Sequence, residues 1–291
     1  MKAAFVGLVG RPSSGKSTFL NQACGGKVSI VSPVPQTTRN RIRGIHNGPP
    51  GQLVFVDTPG FHSSERKMNL RLRELTLATL REVDLTLYLV DVSRAPGEEE
   101  RALIAALRTH EDRLLVALNK IDVTPNHRAA AERQLREAFR APRLYPISAA
   151  SGEGLEALLA ALWQLAPEGE PFYPPEFYTD QTPEFRFAEI IREKAIRDLR
   201  EEVPHALYVH IDDLEMRREN TQLWARGFIF VERDSQKGIL VGRNGDRIKA
   251  IVRDAEAELG GLFPYEVKLD LRVKVQPKWR NNETLLAKLI R

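Results

Sequence analysis

Cysteine is nearly absent: Cys24 is the only one in 291 residues. A lone thiol cannot close an internal disulfide, and with six scattered histidines it gives no zinc-ligand spacing, which argues against a disulfide-stapled secreted scaffold and a structural-zinc fold. Long apolar runs are missing too, since none approaches the roughly 18 residues that span a bilayer. The start, Met1-Lys2-Ala3-Ala4-Phe5-Val6-Gly7, runs straight into a motif instead of a signal peptide. There is no internal repeat and no low-complexity segment. These absences lead us to expect a cytosolic protein.

What is present is ordinary for a folded chain: 42% hydrophobic and 28% charged residues. At roughly 150 residues per domain, two domains are expected. Lys plus Arg is 43 against 39 Asp plus Glu, a net charge of +4. The distribution says more than the total. Residues 172–291 are balanced, yet within them 217–253 hold nine basic against four acidic side chains, and 268–280 hold five against one. A neutral domain can still present a basic face.

Up to about residue 165, strand-like runs (Phe5–Val9, Leu53–Asp57, Leu85–Val90, Leu114–Asn119) alternate with helical patterns such as Lys16–Cys24, Glu98–Arg108 and Ala129–Phe139. Such alternation predicts a mostly parallel α/β sheet flanked by helices, with ligands at the carboxyl ends of its strands. Leu155, Leu158, Leu159 and Leu162 fall at helical spacing and read as core. The stretch Pro167 to Pro175, rich in proline, reads as a linker. Beyond it the order is helix (Phe185–Leu199), strand (Ala206–Leu214), strand (Leu223–Val231), short helix (Gln236–Val241), glycine loop, helix (Ile248–Leu259) and strand (Val267–Val275).

Gly10-Arg-Pro-Ser-Ser-Gly15-Lys16-Ser17 lies between a strand and a helix and fits the phosphate-loop pattern. Its glycines let successive N–H groups point at a triphosphate, including those near Ser13, Ser14 and Thr18, and the helix N-terminus adds positive potential. Lys16 supplies a full charge at the terminal phosphates, and the Ser17 hydroxyl suits Mg²⁺, which prefers oxygen. Asp57-Thr58-Pro59-Gly60 ends the next apolar strand: Asp57 can hold the metal shell, and the Gly60 N–H can reach a γ-phosphate. Thr38 is the expected second hydroxyl ligand, with Thr37 its rival, on a loop ordered by the γ-phosphate. Lys16, Thr38, Asp57 and Gly60 are thus the catalytic candidates. Ser17, Thr38 and Asp57 are the metal candidates.

Asn119-Lys120-Ile121-Asp122 follows the strand Leu114–Leu118. Asp122 can accept two parallel hydrogen bonds from guanine, a donor pair adenine lacks, so GTP is expected over ATP. Asn119 would bridge base pocket and phosphate loop, and the Lys120 stem would lie on the base. Ser148, Ala149 and Ala150 close the pocket, with the Ala149 N–H facing the guanine carbonyl. Phe61 follows Gly60 where Ras-like enzymes carry a water-orienting glutamine, so slow intrinsic hydrolysis is expected. His62 reads as an exposed switch histidine.

In the second half, Gly242-Arg243-Asn244-Gly245 enters an amphipathic helix and resembles the loop by which KH modules clamp nucleotide phosphates, with Arg243, Arg247 and Lys249 supplying charge. Lys268, Arg272 and Lys274 alternate on the last strand. Trp224 and Trp279 could stack bases, although core packing is the default for both. Readings that remain open on the residues alone are a GTP-dependent protein-interaction or membrane switch and a small-molecule kinase or ATPase.

Taken together, Pro35-Gln-Thr-Thr-Arg39, Asp180-Gln-Thr-Pro-Glu-Phe, Ala188-Glu-Ile-Ile-Arg-Glu-Lys194, Glu202-Val-Pro-His205, Ser235-Gln-Lys-Gly238, Gly242–Lys249, Val273-Lys-Val275 and Trp279-Arg280 resemble the Era family of bacterial GTPases over nearly the whole chain. The resemblance implies a GTPase domain over 1–167, a linker over 168–183 and a bacterial-type (type II) KH domain over 184–291. It implies GTP and GDP as ligands with Mg²⁺, binding of the 3′ end of small-subunit (16S) ribosomal RNA, and a role in assembly of the 30S subunit. A monomer is expected. The family also associates peripherally with the inner membrane, which nothing in this sequence shows. One departure concerns K⁺. The family's phosphate loop usually has Asn-Val where Ser13 and Ser14 stand, and related potassium-dependent GTPases hold the ion with that asparagine, so weak potassium dependence is expected here.

Overall fold

A computed structural model describes residues 1–32, 34, 37–61, 67–197, 199 and 203–290. The chain divides into two compact units whose main boundary falls at Asp180–Gln181, with residues from Ala287 onward grouped with the first.

In the first unit the elements run β1 (Lys2–Val9), α1 (Lys16–Cys24), β2 (Ile42–Gly48), β3 (Gly51–Asp57), α2 (Lys67–Glu82), β4 (Leu85–Asp91), α3 (Glu98–Leu107), β5 (Leu114–Asn119), α4 (Arg128–Ala138), β6 (Leu144–Ile147) and α5 (Leu155–Leu165). The sheet order is β2-β3-β1-β4-β5-β6. Strands β3, β4 and β5 are buried along their whole length. Helices cover both of their faces, so they read in sequence as unbroken apolar runs with no alternation. All pairings are parallel except β2 with β3, which are joined through Pro49-Pro50 with Gly48 opposite Gly51. Leu155, Leu158 and Leu162 are buried in α5, and Leu159 is half-buried.

Residues 168–180 pass from the start of β1, where Glu168 bridges Lys2, past Gln52 of β3 to the outer edge of β2, where Thr179 bridges Gly44. The Ile45 N–H donates to Tyr178 O at 2.9 Å, and Thr179 Oγ1 donates to Arg43 O at 2.8 Å. Buried Gln52 accepts from the N–H groups of Phe172 and Tyr173 at 2.9 and 3.0 Å and donates to Tyr173 O at 2.9 Å. Asp180 accepts from Arg43 at 2.9 Å and from the Tyr173 hydroxyl at 2.8 Å. This proline-rich stretch has no helix or ladder of its own, so its backbone groups are met by a neighbouring edge strand.

The second unit is built from α6 (Pro183–Ile196), β7 (Tyr208–Arg217), β8 (Gln222–Val231), α7 (Asp234–Val241), α8 (Asp246–Leu262) and β9 (Glu266–Val275), and α9 (Glu283–Leu289) closes the chain. Thr182 caps α6 with Pro183 in its first turn. Strands β7 and β8 pair antiparallel, and β8 and β9 pair parallel. Alternate residues of β8 (Leu223, Ala225, Ile229, Val231) join Phe187, Ile191, Leu240, Ile251, Ala255 and Leu259 in one core. The opposite face carries Trp224, Arg226, Phe228 and Phe230, which are half-buried. Trp279 is buried and donates to Ala206 O at 2.9 Å. Among the described residues no helix is long and apolar enough to cross a membrane.

Candidate nucleotide site and nucleic-acid interface

The loop between β1 and α1 curls because Ser13 and Gly15 adopt positive φ, 61° and 93°. At Gly15 a Cβ would sit 2.3 Å from Asn119 Nδ2, so only glycine fits. Asn119 is the bridge expected from sequence: its Nδ2 donates to Ser14 O at 2.8 Å, tying the end of β5 to the phosphate loop. The Lys16 ammonium folds back onto the carbonyls of Gly10 and Arg11, both at 3.1 Å. Burial strips its hydration and lowers its pKa to about 8, against the pull of Asp57 and Glu100.

Beside it the hydroxyls gather on one carboxylate. Ser17 Oγ donates to Asp57 Oδ2 at 2.7 Å and lies 3.0 Å from Thr38 Oγ1, which is itself 3.4 Å from the same oxygen. Of the rival threonines, Thr38 stands in this cluster. Ser29 Oγ also donates to Asp57 Oδ2, at 3.2 Å. Asp57 is fully buried, and its Oδ1 has no partner. Burial pushes its pKa up, opposed by Lys16 and by the hydroxyls of Ser17, Ser29 and Thr38. A buried, unpartnered carboxylate oxygen flanked by hydroxyls is a set of hard donors that fits Mg²⁺. Among the described residues no group of three or more His, Cys, Asp and Glu side chains is placed to hold a metal. A cation at Asp57 would therefore depend on the nucleotide's phosphates for most of its charge balance.

Ser29 escaped the sequence reading. Its backbone is held by Asn21 of α1, whose Oδ1 accepts from the N–H of Ser29 and whose Nδ2 donates to Ser29 O, at 2.8 and 2.7 Å. No motif announces that contact. Gly60 backs onto Pro12 of the phosphate loop. Phe61 turns inward and is buried with Val9, Leu80 and Tyr88, so its side chain has no access to an attacking water. His62, Pro35, Gln36 and Glu202 lie outside the described residues.

On the base side Asp122 and Ala150 are exposed, and Ser148 is buried, shaping its turn by accepting from the Gly152 N–H at 2.8 Å. The Ala149 N–H, expected to face the guanine carbonyl, donates here to Asn119 Oδ1 at 2.9 Å. Once Asn119 spans two loops, its oxygen takes the nearest donor. The Lys120 ammonium is likewise held, by Asp91 at 2.8 Å.

In the second unit, Gly242 (φ 74°), Asn244 (φ 54°) and Gly245 (φ 78°) shape the loop between α7 and α8. A Cβ on Gly242 would come within 2.7 Å of Arg247 Cβ. Arg243, Asn244 and Lys249 are exposed, and Arg247 is half-buried. On β9, Lys268 pairs with Glu256 and Glu266, Arg272 with Asp270, and Lys274 lies 3.4 Å over the Phe228 ring. Arg217 covers Trp224 at 3.5 Å.

Residues 5–120 match a family model described as "50S ribosome-binding GTPase", and residues 202–280 match one described as "KH domain". GTPase Era of Treponema denticola is 46% identical over 292 residues, covering 99% of both chains. This chain belongs to the Era family. Two solved Era structures superpose closely. One is an Aquifex aeolicus Era bound to GDP·AlF4⁻, with a TM-score of 0.94 at 33% identity, covering 99% of this chain and 98% of that one. The other is an Era in complex with MgGDPNP and nucleotides 1506–1542 of 16S ribosomal RNA, with a TM-score of 0.93, the same identity and the same coverage. The P-loop GTPase sheet and the KH arrangement of the second unit are therefore both Era-like, and the likeness spans the two.

Proposed function

We propose that this chain binds GTP with Mg²⁺ at the β1–α1 loop, hydrolyses it, and uses the Gly242–Gly245 loop to hold the 3′ region of 16S ribosomal RNA, so that nucleotide state sets its residence on the immature 30S subunit in the cytoplasm. The observation that carries the reading is the convergence of Ser17, Thr38 and Asp57 beside Lys16. The functional division is residues 1–167 for the nucleotide, 184–291 for RNA, and 168–183 joining them. The chain would act as a monomer.

In this mechanism the N–H groups of the loop from Gly10 to Thr18, together with Lys16, bind the phosphates. Asp122 reads the guanine edge, and Asn119 keeps base pocket and phosphate loop at one spacing. Ser17, Thr38 and Asp57 would hold Mg²⁺, which when bound neutralises charge on the phosphate oxygens. Because Phe61 is spent on packing, water must be oriented by backbone groups such as the Gly60 N–H, and turnover without a partner is slow. Neither Ser13 nor Ser14 offers the amide oxygen of an asparagine. Replacing Na⁺ with K⁺ is thus expected to change turnover by less than about twofold, whereas a large rise would refute this.

The test of the whole reading is binding of the full chain to an oligonucleotide copying the 3′ end of 16S RNA, with GTP or GDP present and across a salt series. Affinity that falls with salt and differs between the nucleotides is expected. Indifference to RNA at every ionic strength would return the KH-like unit to a protein-binding role.

A further inference from the structure

Asp91 ends β4, outside the phosphate-loop, metal and base-reading motifs. It is 1% exposed and accepts from the Ser93 N–H at 3.0 Å, from the Ser93 hydroxyl, from Arg94 Nε at 2.9 Å and from Lys120 Nζ at 2.8 Å. The two cations lead to opposite ends of the nucleotide site. Lys120 stands in the base-reading loop at φ 70°, a left-handed conformation that a lysine rarely adopts unless its surroundings hold it there. Arg94 sends its Nη2 to Pro12 O at 3.1 Å, inside the phosphate loop. The phosphate loop reaches back in turn: Arg11 Nη2 donates to the Asp91 carbonyl at 3.1 Å, and Nη1 pairs with buried Glu100 at 2.9 Å. The backbone agrees, since the Val92 N–H donates to Asn119 O at 3.0 Å.

We propose that Asp91 is a positioning residue for the GTPase reaction. Through Lys120 and Arg94 it fixes the base-reading and phosphate loops at the separation that a guanine nucleotide spans, and so sets how long the nucleotide stays bound. A ligand gripped at both ends loses from both grips when their spacing loosens, which is why one carboxylate can have a large effect on release. The chemistry at Ser17, Thr38 and Asp57 shares no hydrogen bond with Asp91, so the effect belongs to binding and not to the hydrolytic step. This inference rests on the nucleotide seating proposed above.

The experiment uses the full chain and measures GTP turnover together with release of fluorescently labelled GDP. Asp91→Asn keeps the shape but weakens the two charge-assisted bonds. Release is expected to be about tenfold faster and KM higher by a similar factor, with kcat within about twofold. Asp91→Glu, which keeps the charge, should recover most of the loss. The ratio of GTP to ITP affinity should stay unchanged in Asp91→Asn, because guanine selection belongs to Asp122. A change in that ratio would mean that Asp91 acts on base reading and would overturn the proposal. A purely architectural ion pair would lower the melting temperature of the nucleotide-free protein and leave release alone. If Asp91→Asn does not fold, Arg94→Ala, whose side chain is half-exposed, cuts the phosphate-side arm alone and should speed release about threefold. Unaltered release in the folded variants would refute the role of Asp91. An unaltered GTP KM in Lys16→Ala would instead refute the seating itself.

Discussion

Two loops in this molecule solve the same local problem differently. Each leads into a helix through a glycine in the left-handed region: Gly15 (φ 93°, ψ 18°) before α1 and Gly245 (φ 78°, ψ 11°) before α8. Both helix N-termini thereby aim unpaired N–H groups at whatever binds. The surroundings then diverge. The first turn of α1 has no acidic residue and carries a buried lysine, and the loop is bolted to the end of β5 by Asn119 and to the turn after β4 by Arg94. The first turn of α8 contains Asp246, and its cations Arg243 and Lys249 stand in solvent. An enclosed, cross-linked loop suits a small ligand that must be held in one pose. An exposed loop with separate cations suits a polymer that passes through and leaves. Substitutions in the first should therefore be severe and non-additive, and those in the second milder and salt-dependent.

The largest effect belongs to Lys16→Ala, which should weaken GTP binding more than about 100-fold by calorimetry while leaving RNA affinity without nucleotide unchanged. Loss of RNA binding in that folded variant would erase the distinction between the loops. The same lysine gives a pH signature. Its pKa in the free protein is lowered to about 8 by burial. It is charged below that value and neutral above, and phosphate favours the charged form. Binding must therefore take up a proton at higher pH, and GTP affinity should fall about fourfold between roughly pH 7 and 8.5. A flat profile would show that burial does not control this ammonium.

Next in size is Gly242→Asp, expected to cost about 30-fold in RNA affinity with GTP turnover intact. Part of that is steric, since any Cβ there meets Arg247. Gly242→Ala isolates the strain, and the difference between the two variants reports the repelled phosphate. Equal losses would mean that charge at this loop does not matter.

Motifs whose chemistry is local were legible in the sequence. The phosphate loop, Asp57, the Asn119–Asp122 run and the Gly242–Gly245 loop each pair a strand or helix end with a fixed residue pattern. Strands β3, β4 and β5 were visible as apolar runs. The antiparallel edge β2 was not. Its sequence, Ile42-Arg-Gly-Ile-His-Asn-Gly, shows no clean alternation, because one side meets α1 and the outer edge is covered by residues 173–180. β6 hid behind Pro146, tolerated because β6 is an edge strand. Helix α2 carries a charged residue in almost every turn, which masks its buried Leu72 and Leu80. Ser29, Asn21 and Asp91 were invisible for a different reason: their roles come from tertiary neighbours far along the chain, and serine, asparagine and aspartate are common in loops.

Ser29 tests how far cross-linking extends within the enclosed loop. Helix α1 presents Ser17 and, one turn later, Asn21, which holds Ser29 against the same Asp57 oxygen. Ser29→Ala should raise the Mg²⁺ concentration needed for half-maximal binding of labelled GDP about fivefold, while GDP affinity in EDTA stays unchanged. Equal losses with and without the metal would make Ser29 a packing residue.

The smallest effect sharpens the comparison from the other side. Asp246 places a carboxylate in the first turn of α8, where it interacts favourably with the helix N-terminus and competes with an incoming phosphate. Asp246→Asn removes the competitor but keeps a polar side chain at the turn. RNA affinity should rise about threefold at low salt and less at high salt, because the term is electrostatic and screened. The variant should also melt slightly lower, since the carboxylate's favourable interaction with the helix is lost with it. Tighter RNA binding and lower stability must appear together if this loop trades grip for release. A variant that gains neither affinity nor sensitivity to salt would show that the helix N-terminus does not face the RNA phosphates.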